Sequence, residues 1–173
     1  MIFSLHNPRD IALMQRALQG QLRVGLTSGT YDLLHYLHFV FLDKCRRLCD
    51  MLIVGIDSDP LVRETKGPDR PLVPEGQRVA MVHAMQCVDA VFVMDSTDDF
   101  LKAVKDFEVH TIFKNDAFKP EDVIGREFAQ VVIIPDVRIP DSTTAIIEEC
   151  IQRRTKGYDR PNLLHDVDGK TFG

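Results

Sequence analysis

Five apolar runs of strand length recur along the chain, and each is followed by a more polar stretch. They lie at 22–27, 51–57, 90–95, 109–114 and 131–135. Near-continuous hydrophobicity of this length is typical of strands covered on both faces. Helical patterns of apolar residues fall between and after them, at 36–49, 75–86, 97–106 and 142–154. The alternation predicts an α/β fold with a doubly wound, five-stranded parallel sheet and helices on both faces.

The remaining segments predict one domain with an arm. Residues 1–21 carry Asn7 and Pro8 as helix start signals and Gly20 as a stop signal, so a leading helix is expected there. The single domain is expected to cover 1–154, and the polar residues 155–173 are expected to form a C-terminal arm. Residues 63–78 are interpreted as the longest irregular connection, and loops of that length are commonly lids or binding loops.

Composition narrows the function classes. The 173 residues are 45% hydrophobic and 27% charged, with a net charge of −5, which lacks the basic excess typical of nucleic-acid binding. No run has the length of a membrane span, and the first residues do not resemble a signal peptide. A cytoplasmic protein with neither a nucleic-acid nor a membrane partner is expected.

The four cysteines are interpreted as reduced thiols packed in the core, because no export signal is evident: Cys45, Cys49, Cys87 and Cys150. A metal site is the alternative, built from His35, His38, Cys45 and Cys49. These four share one stripe of a straight helix, which cannot surround a tetrahedral ion.

The turn after the first strand, "SGTYDLLHYLH" at 28–38, is where chemistry is expected. In a parallel sheet, ligands bind at the carboxyl ends of the strands, and a helix that begins there points free N–H groups at an anion. His35 and His38 are three residues apart on the first helical turn, so both can face one phosphate. Neither a G-x-G-x-x-G motif nor a P-loop lysine follows the strand, which argues against a dinucleotide or P-loop site.

The stretch "GTYDLLHYLH" resembles the G-x-F-D-x-x-H-x-G-H signature of the cytidylyltransferase-like nucleotidyltransferases. Further similar pieces follow in order: "GIDSD", "KGPDRPLVPEGQR", "CVDAVFV", "KND" and "DSTTAIIEE". The resemblance covers roughly residues 22–154. Within the family, the chain is most similar to the glycerol-3-phosphate and ethanolamine-phosphate cytidylyltransferases and to the nucleotidyltransferase domain of ADP-heptose synthase.

The resemblance implies a Rossmann-like sheet and transfer of CMP or AMP, from CTP or ATP, to a phosphorylated small alcohol or sugar with release of pyrophosphate. CTP is favoured slightly, because Asn115 and Asp116 resemble the cytidylyltransferase stretch. Mg²⁺ would enter with the triphosphate, and a homodimer is expected. The implied catalytic residues are His35, His38 and Lys66, and the implied substrate-binding residues are Asp32, Asp57 and Arg78. The implied nucleotide-binding residues are Thr27, Ser28, Gly29, Thr30, Asn115, Asp116, Ser142, Thr143 and Thr144.

The chain departs from the family pattern beside the nucleotide pocket. Leu37 stands where the family has glycine between the histidines, and Lys114 replaces the first glycine of the "GND"-like stretch. Arg138 and Asp141 stand where an acidic residue and a glycine are expected. Two alternatives therefore remain open: a family member that binds nucleotide as a sensor or partner subunit without turnover, and a metal hydrolase that uses His35 and His38.

Overall fold

A computed structural model describes residues 19–135 and 143–155. Five parallel strands form one sheet in the order β3-β2-β1-β4-β5. Their bounds are β1 Val24–Gly29, β2 Met51–Asp57, β3 Ala90–Met94, β4 Thr111–Asn115 and β5 Gln130–Ile134. The α/β, Rossmann-like prediction is confirmed, and each apolar run forms one strand to within two residues at either end.

The helices that connect the strands cover both faces of the sheet. Their bounds are α1 Tyr36–Arg46, α2 Asp59–Lys66, α3 Glu75–His83, α4 Thr97–Asp106 and α5 Thr143–Thr155, with a short 3-10 turn at Pro120–Asp122. Leu42 of α1 packs in one buried cluster with Phe113 of the sheet, and Phe100 of α4 packs in another with Leu26. Alternate residues of each strand thus face opposite helical layers.

Close packing explains one glycine in the first strand. A Cβ atom at Gly25 would lie 2.5 Å from the Phe113 ring and 2.8 Å from Cys49 Sγ. No side chain fits at that distance, so glycine is needed for the sheet to accept both neighbours.

The interpretation of 63–78 as one irregular connection is wrong at both ends. Residues 59–66 form α2 and α3 begins at Glu75, so only 67–74 lie between the helices. The Ser58 hydroxyl caps α2 by accepting a hydrogen bond from the Leu61 N–H at 3.3 Å, and Pro60 occupies its first turn. The sequence "SDP" carried this start signal.

The expectation of four core cysteines holds for three of them. Cys45, Cys49 and Cys87 are buried free thiols, whereas Cys150 is exposed. Cys150 lies on α5, where residues 148–153 are all exposed.

The chain divides into two compact units, Met1–Ile139 and Pro140–Gly173. The sheet belongs to the first unit and α5 to the second. Of the predicted leading helix, 1–18 lie outside the described residues, as do 156–173 of the predicted arm. No helix within the described ranges is long and apolar enough to cross a membrane.

Candidate functional site

The sheet has its switch point between β1 and β4. The chain moves from β1 to β2 and β3 on one side, then returns through α4 to β4 on the other side of β1. β1 and β4 pair only at Gly25 with Thr111 and at Leu26 with Ile112, whereas β1 stays paired with β2 as far as Gly29. The carboxyl ends of β1 and β4 therefore part, which opens the crevice where ligands bind in such sheets.

The turn between β1 and α1 is tightly constrained. Tyr31 and Leu33 adopt positive φ angles of 53° and 49°, a conformation that costs free energy for residues other than glycine. Tyr31 is buried, and a Cβ atom on Gly29 would lie 3.2 Å from its ring. Burial raises the pKa of Tyr31, so its hydroxyl stays protonated. The turn is held by packing and presents the start of α1 in one orientation.

His35 and His38 form a contacting pair at the N-terminus of α1. His35 is the N-cap residue, and its backbone N–H donates to Nδ1 of His38 at 3.3 Å. Their ring centroids lie 4.0 Å apart, and the His38 ring also lies 5.3 Å from that of Tyr31. Burial, followed by the neighbouring charges of His35 and Lys66, lowers the pKa of His38 to about 4. His38 is therefore neutral at physiological pH, and because Nδ1 accepts a hydrogen bond, its proton lies on Nε2.

Leu37 lies between the two histidines, on the first turn of α1 and half-buried. The histidines keep their hydrogen-bonded pairing with leucine in place of the motif glycine. Among the described residues, no group of three or more His, Cys, Asp or Glu side chains could hold a metal ion.

Asp32, in the same turn, holds the connection between α2 and α3. Its carboxylate accepts hydrogen bonds from the backbone N–H groups of Leu72 and Val73 at 2.9 to 3.1 Å, and from Nε of Arg70 at 2.7 Å. Burial by itself would raise the pKa of Asp32, but these three donors outweigh it, so the pKa is lowered. In this structure the Asp32 carboxylate binds groups of the chain itself. The predicted contact between Asp32 and the acceptor stays a prediction.

Arg78 joins four segments at the edge of the site. Its guanidinium donates to the carbonyl oxygens of Thr30, Val73 and Asp57 at 2.7 to 2.9 Å, and to the Asp59 carboxylate at 2.6 Å. The side chain is completely buried. Its predicted substrate contact stays a prediction. In this structure it fixes the ends of β1 and β2 relative to the 67–74 connection.

Two charged groups follow the turn, Asp57 at the end of β2 and Lys66 at the end of α2. The Asp57 carboxylate accepts a hydrogen bond from the Thr30 hydroxyl at 2.8 Å. Lys66 is the last residue of α2, and desolvation lowers its pKa while Asp57 acts in the opposite direction. After burial and His35, Lys66 also contributes to lowering the pKa of His38. The structure thus brings Thr30, Asp57, Lys66 and the histidine pair together.

The other predicted nucleotide contacts lie on β1, β4 and α5. Thr27 is buried, Ser28 and Gly29 are half-buried at the end of β1, and Asn115 ends β4 with Asp116 exposed just beyond it. Thr143 and Thr144 open α5, in the second unit, and Ser142 lies outside the described residues, as do Arg138 and Asp141.

From the sequence, Lys114 was identified only as a departure from the family pattern and not as a site residue. Its Nζ donates to Ser28 Oγ at 2.9 Å, across the gap between β4 and β1. The sequence of β4 did indicate that Lys114 has a polar partner. It follows the buried residues Ile112 and Phe113 in the strand, and an ammonium in such surroundings needs a hydrogen-bond acceptor.

The strands β1 and β4 part at their carboxyl ends, and a helix N-terminus with two contacting histidines lies beside them. This arrangement is typical of α/β proteins that bind phosphorylated ligands. Comparison with known proteins narrows the class. The chain belongs to the cytidylyltransferase-like family, whose model matches residues 26–149.

The similar proteins agree with that assignment. The chain is 35% identical over 153 residues to the bifunctional protein HldE of Syntrophotalea carbinolica and 37% identical over 151 residues to that of Trichlorobacter lovleyi. These matches cover 86% and 84% of this chain but 31% and 30% of the two relatives, so the chain spans about three-tenths of their length. A lipopolysaccharide core biosynthesis protein from Thermoplasma volcanium shares the fold, with a TM-score of 0.56 at 21% identity, over 68% of this chain and 98% of that protein.

Proposed function

We propose that this protein is a nucleotidyltransferase that transfers a nucleoside monophosphate from a nucleoside triphosphate to a phosphorylated sugar or small alcohol. The observation that carries the proposal is the hydrogen-bonded pair of His35 and His38, with His38 neutral, at the N-terminus of α1 beside the parted ends of β1 and β4. Membership of the cytidylyltransferase-like family supports it.

The reaction needs positioning and charge stabilisation more than proton transfer. An anionic oxygen of the acceptor phosphate attacks the α-phosphorus, the bond to the bridging oxygen of the β-phosphate breaks, and pyrophosphate leaves with the bond's electron pair. The attacking oxygen has no proton to lose, so no general base is required. His38 donates its Nε2–H to a phosphate oxygen, and the N-terminus of α1 adds the positive end of its dipole.

Lys66 supplies a positive charge to this site. It is the last residue of α2 and interacts electrostatically with Asp57 and His38. Its ammonium contacts the phosphate of the acceptor or the triphosphate. Mg²⁺ enters with the triphosphate and is held mainly by phosphate oxygens and water, as is usual for this ion. From the protein, at most one ligand is needed, and the Asp57 carboxylate could supply it.

The relatives favour ATP as the donor. The HldE proteins are ADP-heptose synthases, the same relatives that the "KGPDRPLVPEGQR" stretch resembles. Asn115 and Asp116 instead resemble the cytidylyltransferases, so CTP belongs in the same assay. A sugar phosphate is the preferred acceptor class on the same grounds.

The test is pyrophosphate release from ATP and from CTP, each with Mg²⁺, against a panel of sugar 1-phosphates and glycerol 3-phosphate. We expect release that depends on one donor and one acceptor. The His38→Ala variant is expected to lower kcat roughly 10²- to 10³-fold, the usual loss for one donor to a developing anion. His83→Ala, on α3, is the matched control and keeps full activity. Activity unchanged in His38→Ala would contradict the assignment of this site.

Leu37 favours one second candidate, a family member that binds nucleotide without turning it over. Its side chain stands on the first turn of α1, where the family glycine lets a ligand approach the backbone. This candidate predicts nucleotide binding without pyrophosphate release, and release after Leu37→Gly. Turnover by the unaltered chain excludes it.

A further inference from the structure

Lys114 lies inside the crevice between the parted strands. It is the fourth residue of β4, and its Nζ donates to Ser28 Oγ at 2.9 Å, beyond the last paired residues of β1 and β4. The ammonium also lies 4.6 Å from the ring centroid of Phe100 and 5.0 Å from that of Phe118. A hydroxyl and two aromatic faces hold this cation, and none of the three carries a formal charge.

Lys114 has no ion-pair partner among the residues that the structure describes. Within the part of the chain that the structure describes, no carboxylate oxygen lies within 4.0 Å of its Nζ. Asp57 acts on it only at longer range, and one oxygen of that carboxylate already accepts from Thr30. Burial lowers the pKa of Lys114, as expected for a cation without a close counter-charge.

Two other enclosed charges of the site are paired. Arg78 pairs with Asp59 at 2.6 Å, and Asp32 pairs with Arg70 at 2.7 Å. A half-buried cation without such a partner is costly, and a methionine could fill the same space between the rings without that cost. An anionic ligand that reaches Lys114 would explain the lysine at this position. An ammonium has three N–H donors, and Ser28 takes one of them.

The place of Lys114 identifies the ligand class. Ser28 and Lys114 follow Leu26 and Ile112 by two residues, so they share one face of the sheet at the carboxyl ends of β1 and β4. We infer that Lys114 binds a phosphate oxygen of the ligand in the crevice, and that Ser28 is its hydrogen-bond partner within the chain. This inference rests on the proposed function and adds a phosphate contact on the opposite face of the sheet from the α1 histidines. The phosphate belongs either to the triphosphate or to the acceptor.

The experiment compares Lys114→Met with Lys105→Met by isothermal titration. Lys105 is the matched control, because its ammonium also lies over an aromatic ring, 4.5 Å from the centroid of Phe128, but away from the crevice. The probes are ATP and CTP with Mg²⁺, adenosine, pyrophosphate and glucose 1-phosphate. Lys114→Met is expected to weaken binding of a phosphate-bearing probe roughly 10- to 100-fold, the value of one or two charge-assisted hydrogen bonds. Adenosine binding is expected to be unchanged, as is every affinity of Lys105→Met.

The pattern of loss identifies the source of the phosphate. Weaker binding of the triphosphates and pyrophosphate places Lys114 on the donor, and weaker binding of glucose 1-phosphate alone places it on the acceptor. Lys114→Gln keeps a hydrogen-bond donor for Ser28 but removes the charge, and it is expected to show the same loss of affinity. Agreement between the two variants would show that the loss does not come from misfolding of Lys114→Met.

Two outcomes overturn the inference, and they are distinguishable. If the unaltered protein binds nucleotide and both Lys114 variants bind it and glucose 1-phosphate equally well, the inference fails and the proposed function stands. If the unaltered protein binds none of the phosphate-bearing probes, the proposed function fails together with the inference.

Discussion

The hydrogen bonds of Asp32 make a strong prediction about stability. Its side chain is 1% exposed and that of Arg70 is 19% exposed, so the pair lies largely out of water. Asp32→Asn removes the charge and leaves one acceptor oxygen for Arg70, Leu72 and Val73. Removing one member of a buried pair costs about 3–5 kcal/mol, and the retained amide oxygen places this change near the lower end, about 3 kcal/mol. For a chain of this size that is a fall in Tm of roughly 6–12 °C.

The assay is thermal unfolding combined with hydrogen exchange of residues 67–74. Asp32→Asn should release the Leu72 and Val73 amides, so that segment exchanges faster than in the unaltered protein. The matched control is Asp50→Asn, whose carboxylate bonds Arg23 with side chains 42% and 67% exposed. Water and salt screen such an exposed pair, so the control should change Tm much less.

The pH dependence follows from the direction of the pKa shift. The folded-state pKa of Asp32 lies below its usual value, so its contribution to stability is present above the unfolded-state pKa, about 4. That contribution is lost as the pH falls through the folded-state pKa. The stability difference between the unaltered protein and Asp32→Asn should therefore be constant from pH 7 to about pH 5 and narrow below about pH 4. A Tm shift no larger than that of the control, with the loop amides still protected, would refute the reasoning.

Three further predictions concern the same unit. Nitrogen-15 NMR should find the His38 proton on Nε2, with no protonation of the ring until the pH approaches about 4; a ring that titrates near 6.5 would contradict its burial. Gly25→Ala should destabilise the fold by about 1–3 kcal/mol through overpacking, whereas Gly76→Ala, on α3 with open space around it, should stabilise by about 0.5–1 kcal/mol, both measured by urea unfolding. Arg78→Lys should lower Tm nearly as much as Arg78→Met, because one ammonium cannot replace a planar guanidinium that donates to four acceptors. Full stability of the lysine variant would contradict this structural role of the guanidinium.

The fold was predictable because its signal is local. Each strand is a short run of apolar residues, and burial on both faces leaves no other place for a sequence such as "MLIVGID". Helix α2 was missed for the converse reason. It has one buried residue, Val62, among charged neighbours, so its apolar pattern was too weak to identify and only the Ser58 cap marked it.

The histidine pair was predictable from spacing, but the roles of the charged residues were not. His35 and His38 share a helical turn, so three residues of sequence fix their relation. The partners of Asp32 lie 38 to 41 residues away, and Arg78 reaches Thr30 over 48 residues. Such pairings depend on how β1, α2 and α3 pack, which no local pattern encodes. The same holds for Lys114, whose hydroxyl partner lies 86 residues away.

These long-range bonds change how the 67–74 connection contributes to the site. The sequence indicated a lid that carries Lys66, but Lys66 ends a helix, and the segment after it is attached to the histidine turn through Asp32. Arg78 attaches the same segment to the ends of β1 and β2. Two charged side chains thus fix the turn with the histidines relative to the helix with the lysine before any ligand binds. Since a positioning enzyme gains most from groups that need no reorganisation in the transition state, the geometry that Asp32 and Arg78 hold would support the proposed catalysis.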